Sequence, residues 1–133
     1  MKFVMCLFVS CIGIQAASSI GLFDVEIGWK IIETEAQFDE QLKNAENGLV
    51  VVEFCVKWAS PCLAMEQFSG KIAYIHDNVV MVKVDIEEMK DLGTRFNISA
   101  VPAYVFLKDG EFIESFLGFQ PDHLEKTISK LNK

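Results

Sequence analysis

The chain has 133 residues, 51% of them hydrophobic and 23% charged, and carries a formal net charge of −7. A chain of this size can bury a real core, and one domain is the expectation. The acidic balance argues against nucleic acid, whose binding rests on neutralising phosphates with Lys and Arg, and against an anionic membrane surface.

The first residues read as a targeting segment. Met1-Lys2 supplies a positive charge, Phe3 to Ile14 is an apolar run, and Gln15-Ala16-Ala17 offers small residues for cleavage. That is the pattern of a secretory signal peptide, expected over residues 1–17. The run is shorter than the roughly 20 apolar residues a spanning helix needs. The chain ends Lys130-Leu131-Asn132-Lys133, with no retention tail of the Lys-Asp-Glu-Leu type. A secreted protein, or one in the secretory pathway, is therefore expected. Cys6 and Cys11 would leave with the leader, while Cys55 and Cys62 remain.

Residues 18–28 form a lead-in, in which Phe23, Val25 and Ile27 alternate with Asp24 and Glu26 and predict a strand. The folded domain is expected over 29–133. Trp29 to Glu33 suits an outer strand. Thr34, with Gln37 three residues on, predicts a capped helix start. Phe38, Leu42 and Ala45 then recur at helical spacing, and Asn47-Gly48 predicts the stop. Val50 to Val56 is apolar on both faces except for Glu53, as in a central parallel strand. After Trp58-Ala59-Ser60-Pro61-Cys62 comes a helix carrying Leu63, Met65, Phe68, Ile72 and Ile75, ending near Asp77-Asn78.

Val79 to Ile86 predicts a second buried strand. Lys83 in its middle suggests an exposed strand edge. Glu87 to Phe96 predicts an acidic helix with Met89, Leu92 and Phe96 inside, closed by Asn97 in the left-handed region. Glu87, Glu88 and Asp91 read as a solvated face favourable at a helix N-terminus. Ala103 to Leu107 and Glu111 to Leu117 flank Lys108-Asp109-Gly110, and Asp-Gly between apolar runs predicts a hairpin. Gln120-Pro121-Asp122 opens a last helix with Leu124, Ile128 and Leu131 on one face. Strands joined through helices imply right-handed parallel crossovers, and the hairpin adds antiparallel strands. The expected class is α/β, a central mixed β-sheet flanked by helices on both faces.

A buried strand that feeds a helix through Trp58-x-x-Pro61-Cys62 resembles the thioredoxin family. Glu53, Val101-Pro102 and Lys108-Asp109-Gly110-Glu111 fit the same resemblance, which covers roughly Trp29 to Lys133. It implies the thioredoxin fold. The family carries Trp-Cys-Gly-Pro-Cys at this turn, and this chain has Ala59 in place of the first cysteine. In the family that cysteine attacks the client disulfide from a helix N-terminus, and the second cysteine resolves the mixed disulfide. The resemblance places Cys62 at the resolving position and Glu53 at the buried acid that accepts its proton. It places a lysine, here Lys83, close to that acid. Pro102 takes the place of the cis-proline, and Val101 that of the residue whose backbone pairs with an extended client peptide.

Three readings of the sulfur chemistry stand at this stage. The first is a client- or partner-binding module without ordinary dithiol reductase activity, using Trp58, Ala59, Ser60, Pro61, Val101 and Pro102. The second is a monothiol or atypical thiol–disulfide oxidoreductase using Cys62, with Glu53, whose partner is glutathione or a client. The third is a Cys55–Cys62 pair: Glu53 and Cys55 point to one face of the strand, and the resemblance implies that the acid faces the second cysteine. For Cys55 the expectation is a small buried hydrophobe rather than the pair. Trp58 is expected to pack as a lid on the site. His76 and His123 have no cysteine at metal-ligand spacing, so no metal and no cofactor is expected. Asn97-Ile98-Ser99 is a glycosylation sequon.

Overall fold

The computed structural model describes residues 28–132. The expected leader at 1–17, Cys6, Cys11 and the lead-in up to Ile27 lie outside the described residues.

Five strands and four helices follow in the order β1 (Trp29–Ile31), α1 (Glu35–Ala45), β2 (Leu49–Cys55), α2 (Ser60–Ile75), β3 (Val80–Asp85), α3 (Lys90–Arg95), β4 (Ala103–Lys108), β5 (Glu111–Leu117) and α4 (Pro121–Leu131). The sheet order is β1-β3-β2-β4-β5. β1 and β2 run parallel to β3, while β4 is antiparallel to both β2 and β5. This is the thioredoxin fold, a mixed five-stranded sheet with helices on both faces. Asp109 (φ 56°) and Gly110 (φ 76°) make the β4–β5 turn, the two left-handed residues a tight hairpin requires.

Period-2 alternation along β2 divides the core into two faces. Val51 packs with Met65 and Ile72 of α2, Tyr104 and Phe106 of β4, and Leu124 and Ile128 of α4. Val50, Val52 and Phe54 point the other way, onto Phe38 of α1, Leu92 of α3, and Val82, Val84 and Val105. Each such buried aliphatic or aromatic side chain contributes about 1.5–3 kcal/mol through the water it sheds. Glu53 and Cys55 fall on the α2 face by the same alternation. On α2, Cys62, Met65, Ser69 and Ile72 are buried at intervals of three and four, so this stripe faces the sheet. Trp29 Nε1 donates to the Ser69 carbonyl (2.8 Å) and ties β1 to that helix.

Three local expectations change. α1 is capped as foreseen, with Gln37 N donating to Thr34 Oγ1 (3.1 Å) and Glu33 N donating to Gln37 Oε1 (2.7 Å). Its stop, however, is at Glu46, which takes φ 53°. Gly48 matters for room instead, because a Cβ there would stand 3.0 Å from the Ala45 carbonyl. The third helix begins at Lys90, not Glu87. The Asp85 carboxylate accepts from Glu87 N (2.8 Å) and its carbonyl from Met89 N (2.8 Å). These bonds fold 86–89 into a turn in place of a first helical turn. Lys83 is not at a sheet edge, since β3 lies between β1 and β2.

Candidate active site and client groove

The site forms where β2 ends and α2 begins. Ala59 is the N-cap of α2 and lends no side-chain hydrogen bond; Ser60 and Pro61 open the helix and Cys62 follows in its first turn. Pro61 suits a position whose N–H would have no helical partner. Ala59 N donates to the Val56 carbonyl (3.1 Å), and Leu63 N donates to the Ala59 carbonyl (3.0 Å). Ala59 and Cys62 are each 7% exposed, so the Ala59 methyl lies under the surface.

Cys62 is bonded to Cys55 in a disulfide, with the two Cα atoms 5.8 Å apart. This corrects the expectation that Cys55 is an isolated buried hydrophobe. β2 turns Cys55 toward α2, and the sheet-facing stripe of α2 turns Cys62 toward β2. Their Cα separation lies within the 4.4–6.8 Å a disulfide spans. Val56, Ala59, Ile86 and Val101 pack around the two sulfurs. Monothiol chemistry at Cys62 therefore needs this bond opened first.

Below the disulfide, Glu53 is 4% exposed. It stands in register with Lys83 on one side and Tyr104 on the other. Tyr104 Oη donates to Glu53 Oε2 at 2.5 Å. Burial, then the Glu53 charge and this bond, hold the phenol far above its ordinary pKa. Lys83 Nζ lies 5.7 Å from the Trp29 ring centroid. The lysine and the acid are thus neighbours across two parallel strands, as the family resemblance implies. Tyr104 was not singled out in the sequence. The available signal was its place two residues after Pro102, on a strand whose partner was open.

Above the site, Trp58 is 70% exposed rather than packed as a lid. Its Nε1 donates to both Glu87 oxygens at 3.1 Å, which fixes the ring at the rim. Beside it Lys57 pairs with Glu88 at 3.5 Å, in solvent. The Val101–Pro102 peptide is cis. The Pro102 carbonyl accepts from Gly118 N at 2.7 Å, which ties the loop to the end of β5. Val101 packs against the disulfide cluster. Cys62, Glu53, Ala59, Ser60, Pro61, Val101 and Pro102 thus gather at one end of the sheet, with Trp58 at the margin. Among the described residues no helix is long and apolar enough to cross a membrane, and no three His, Cys, Asp or Glu side chains cluster as metal ligands.

The sequence profile of the thioredoxin family matches residues 30–130. The chain belongs to the thioredoxin family. It is 33% identical over 102 residues to thioredoxin of Oryctolagus cuniculus, covering 77% of this chain and 97% of that one. It is 33% identical over 99 residues to the H-type thioredoxin of Ricinus communis, covering 73% of this chain and 84% of the relative. Among solved structures, the Nicotiana alata thioredoxin NaTrxh superposes with a TM-score of 0.76 at 28% identity, over 80% of this chain and 94% of that one. The Fasciola hepatica thioredoxin gives a TM-score of 0.75 at 25% identity, over 77% and 99%. The match spans β1 to α4, and the turn that carries Ala59 and Cys62 lies within it.

Proposed function

We propose that this thioredoxin-family protein binds an extended peptide or protein client at its Trp58–Pro61 turn and Val101–Pro102 loop, and does so without the ordinary dithiol cycle. The observation that carries the reading is Ala59. A methyl group cannot form a mixed disulfide, and the second sulfur, on Cys62, is held by Cys55. The cis-proline loop and the exposed Trp58 are the parts a client needs and the chemistry does not. The apolar run at the N-terminus and a disulfide that persists in oxidising compartments support action in the secretory pathway or outside the cell.

The test is dithiothreitol-driven reduction of a protein disulfide. The wild-type chain is expected to raise the uncatalysed rate far less than Ala59→Cys does. Ala59→Cys is expected to raise it by about tenfold or more, because a thiolate is the attacking species and a helix N-terminus favours it. Catalysis by the wild-type chain that vanishes in Cys62→Ser would end the binding-only reading. A folded but inert Ala59→Cys would show that Glu53 and Pro102 do not carry their family roles here.

A further inference from the structure

The disulfide between Cys55 and Cys62 is electrically and sterically unequal at its two ends. Cys62 lies in the first turn of a 16-residue helix that has no acidic residue in its first turn and no side-chain cap. A negative charge on its sulfur is favoured there by the helix dipole and the unpaired N–H groups. Cys55 ends β2 in register with Asp85 of β3, whose carboxylate disfavours a second negative charge beside it. Access follows the same order: Cys55 is half-buried and Cys62 is 7% exposed.

We infer that Cys55–Cys62 is a polarised exchange centre, which takes an incoming thiolate on the Cys55 sulfur and releases Cys62 as the thiolate. The inference goes beyond client binding and supplies a chemistry to it: the oxidation of a client dithiol. In the first step the client thiolate forms a bond to Cys55 Sγ, the Cys55–Cys62 bond breaks, and its electron pair leaves on Cys62. In the second step the client's other thiolate attacks the client sulfur of the mixed disulfide and expels Cys55. The client loses two electrons and becomes a disulfide. The protein gains two electrons, and the two protons released by the client end on Cys55 and Cys62. One client dithiol is oxidised per chain. A thiolate leaves faster the lower its pKa, so the end that leaves is decided by these surroundings.

The rim also selects the thiol. Asp85, Glu87 and Glu88 stand on the segment next to Cys55, and Lys57 is paired with Glu88. A cationic thiol is therefore favoured over an anionic one, and salt weakens the preference.

The experiment uses the wild-type full chain and small thiols, so its outcome does not depend on the client groove. Native protein is mixed briefly with cysteamine, 2-mercaptoethanol or glutathione, alkylated and digested with trypsin. Cleavage after Lys43, Lys57 and Lys71 puts Cys55 and Cys62 on separate peptides. The expected result is the thiol adduct on the Cys55 peptide and the alkyl group on the Cys62 peptide, about tenfold or more over the reverse. Cysteamine is expected to react fastest and glutathione slowest, with the spread narrowing in high salt. An adduct mainly on Cys62, free thiols at Cys55 and Cys62 in the untreated protein, or a disulfide that exchanges only after denaturation would each overturn the inference. A reductase-active wild-type chain would overturn the binding-only reading and leave this one standing.

Discussion

Tyr104 Oη donates a 2.5 Å hydrogen bond to Glu53 Oε2, between two strands and beneath the disulfide. Both residues are buried, so neither exchanges this bond freely with water. A buried acceptor that loses one of its donors bears part of its desolvation cost, about 1–3 kcal/mol. Tyr104→Phe should therefore lower the unfolding free energy by about that amount, read from urea midpoints at neutral pH.

The same pair fixes a pH dependence. The Tyr104 phenol is raised in the folded state, first by burial and then by Glu53. The unfolded chain releases that proton near its ordinary value of about 10, while the folded chain keeps it. The stabilisation is thus fully present below about pH 10 and is lost as the pH climbs above it. The urea midpoint should fall above that pH more steeply in the wild type than in Tyr104→Phe. Parallel curves for the two proteins would refute the assignment.

The disulfide closes a short loop, its two cysteines seven positions apart in the chain. The chain-entropy estimate for so short a loop is about 2–3 kcal/mol at 25 °C. Cys55→Ser should lower stability by about this much, and reductant should then have no further effect on its unfolding midpoint. Equal midpoints for the wild type with and without reductant would show that the bond does not constrain the unfolded chain.

Trp58 and Trp29 are the only tryptophans, and Trp29 is 4% exposed against 70% for Trp58. Fluorescence quenched by acrylamide therefore reports Trp58. Glu87→Ala removes the acceptor that holds its indole N–H and should increase the quenching. The bond lies in solvent, so stability should change by no more than about 0.5 kcal/mol. Unchanged quenching would mean that Glu87 does not hold the ring.

Gly28 takes φ 91°, and a Cβ there would lie 2.9 Å from Ala73 Cβ. Gly28→Ala combines a strained backbone with a clash against α2. It should cost about 1–3 kcal/mol in thermal or urea unfolding. A neutral result would place Gly28 in a different conformation.

The sequence alone determined the features that depend on near neighbours. Alternation at Val50 to Phe54, the Thr34–Gln37 cap, the Asp109-Gly110 turn and the stripe Leu124–Ile128–Leu131 follow from period and turn chemistry. From them the element order and the mixed sheet were legible. So was the Trp58-Ala59-Ser60-Pro61-Cys62 turn between a buried strand and a helix, which the structure places at the junction of β2 and α2. The tertiary structure alone decided which distant groups meet. Cys55 reaches Cys62 because β2 ends where the sheet-facing stripe of α2 begins, and Tyr104 reaches Glu53 because antiparallel register sets them side by side. Register and helix placement come from packing the whole core, which no short stretch encodes. Trp58 lies open for the same reason, since an indole at the end of a strand is a lid only if another element comes up to cover it.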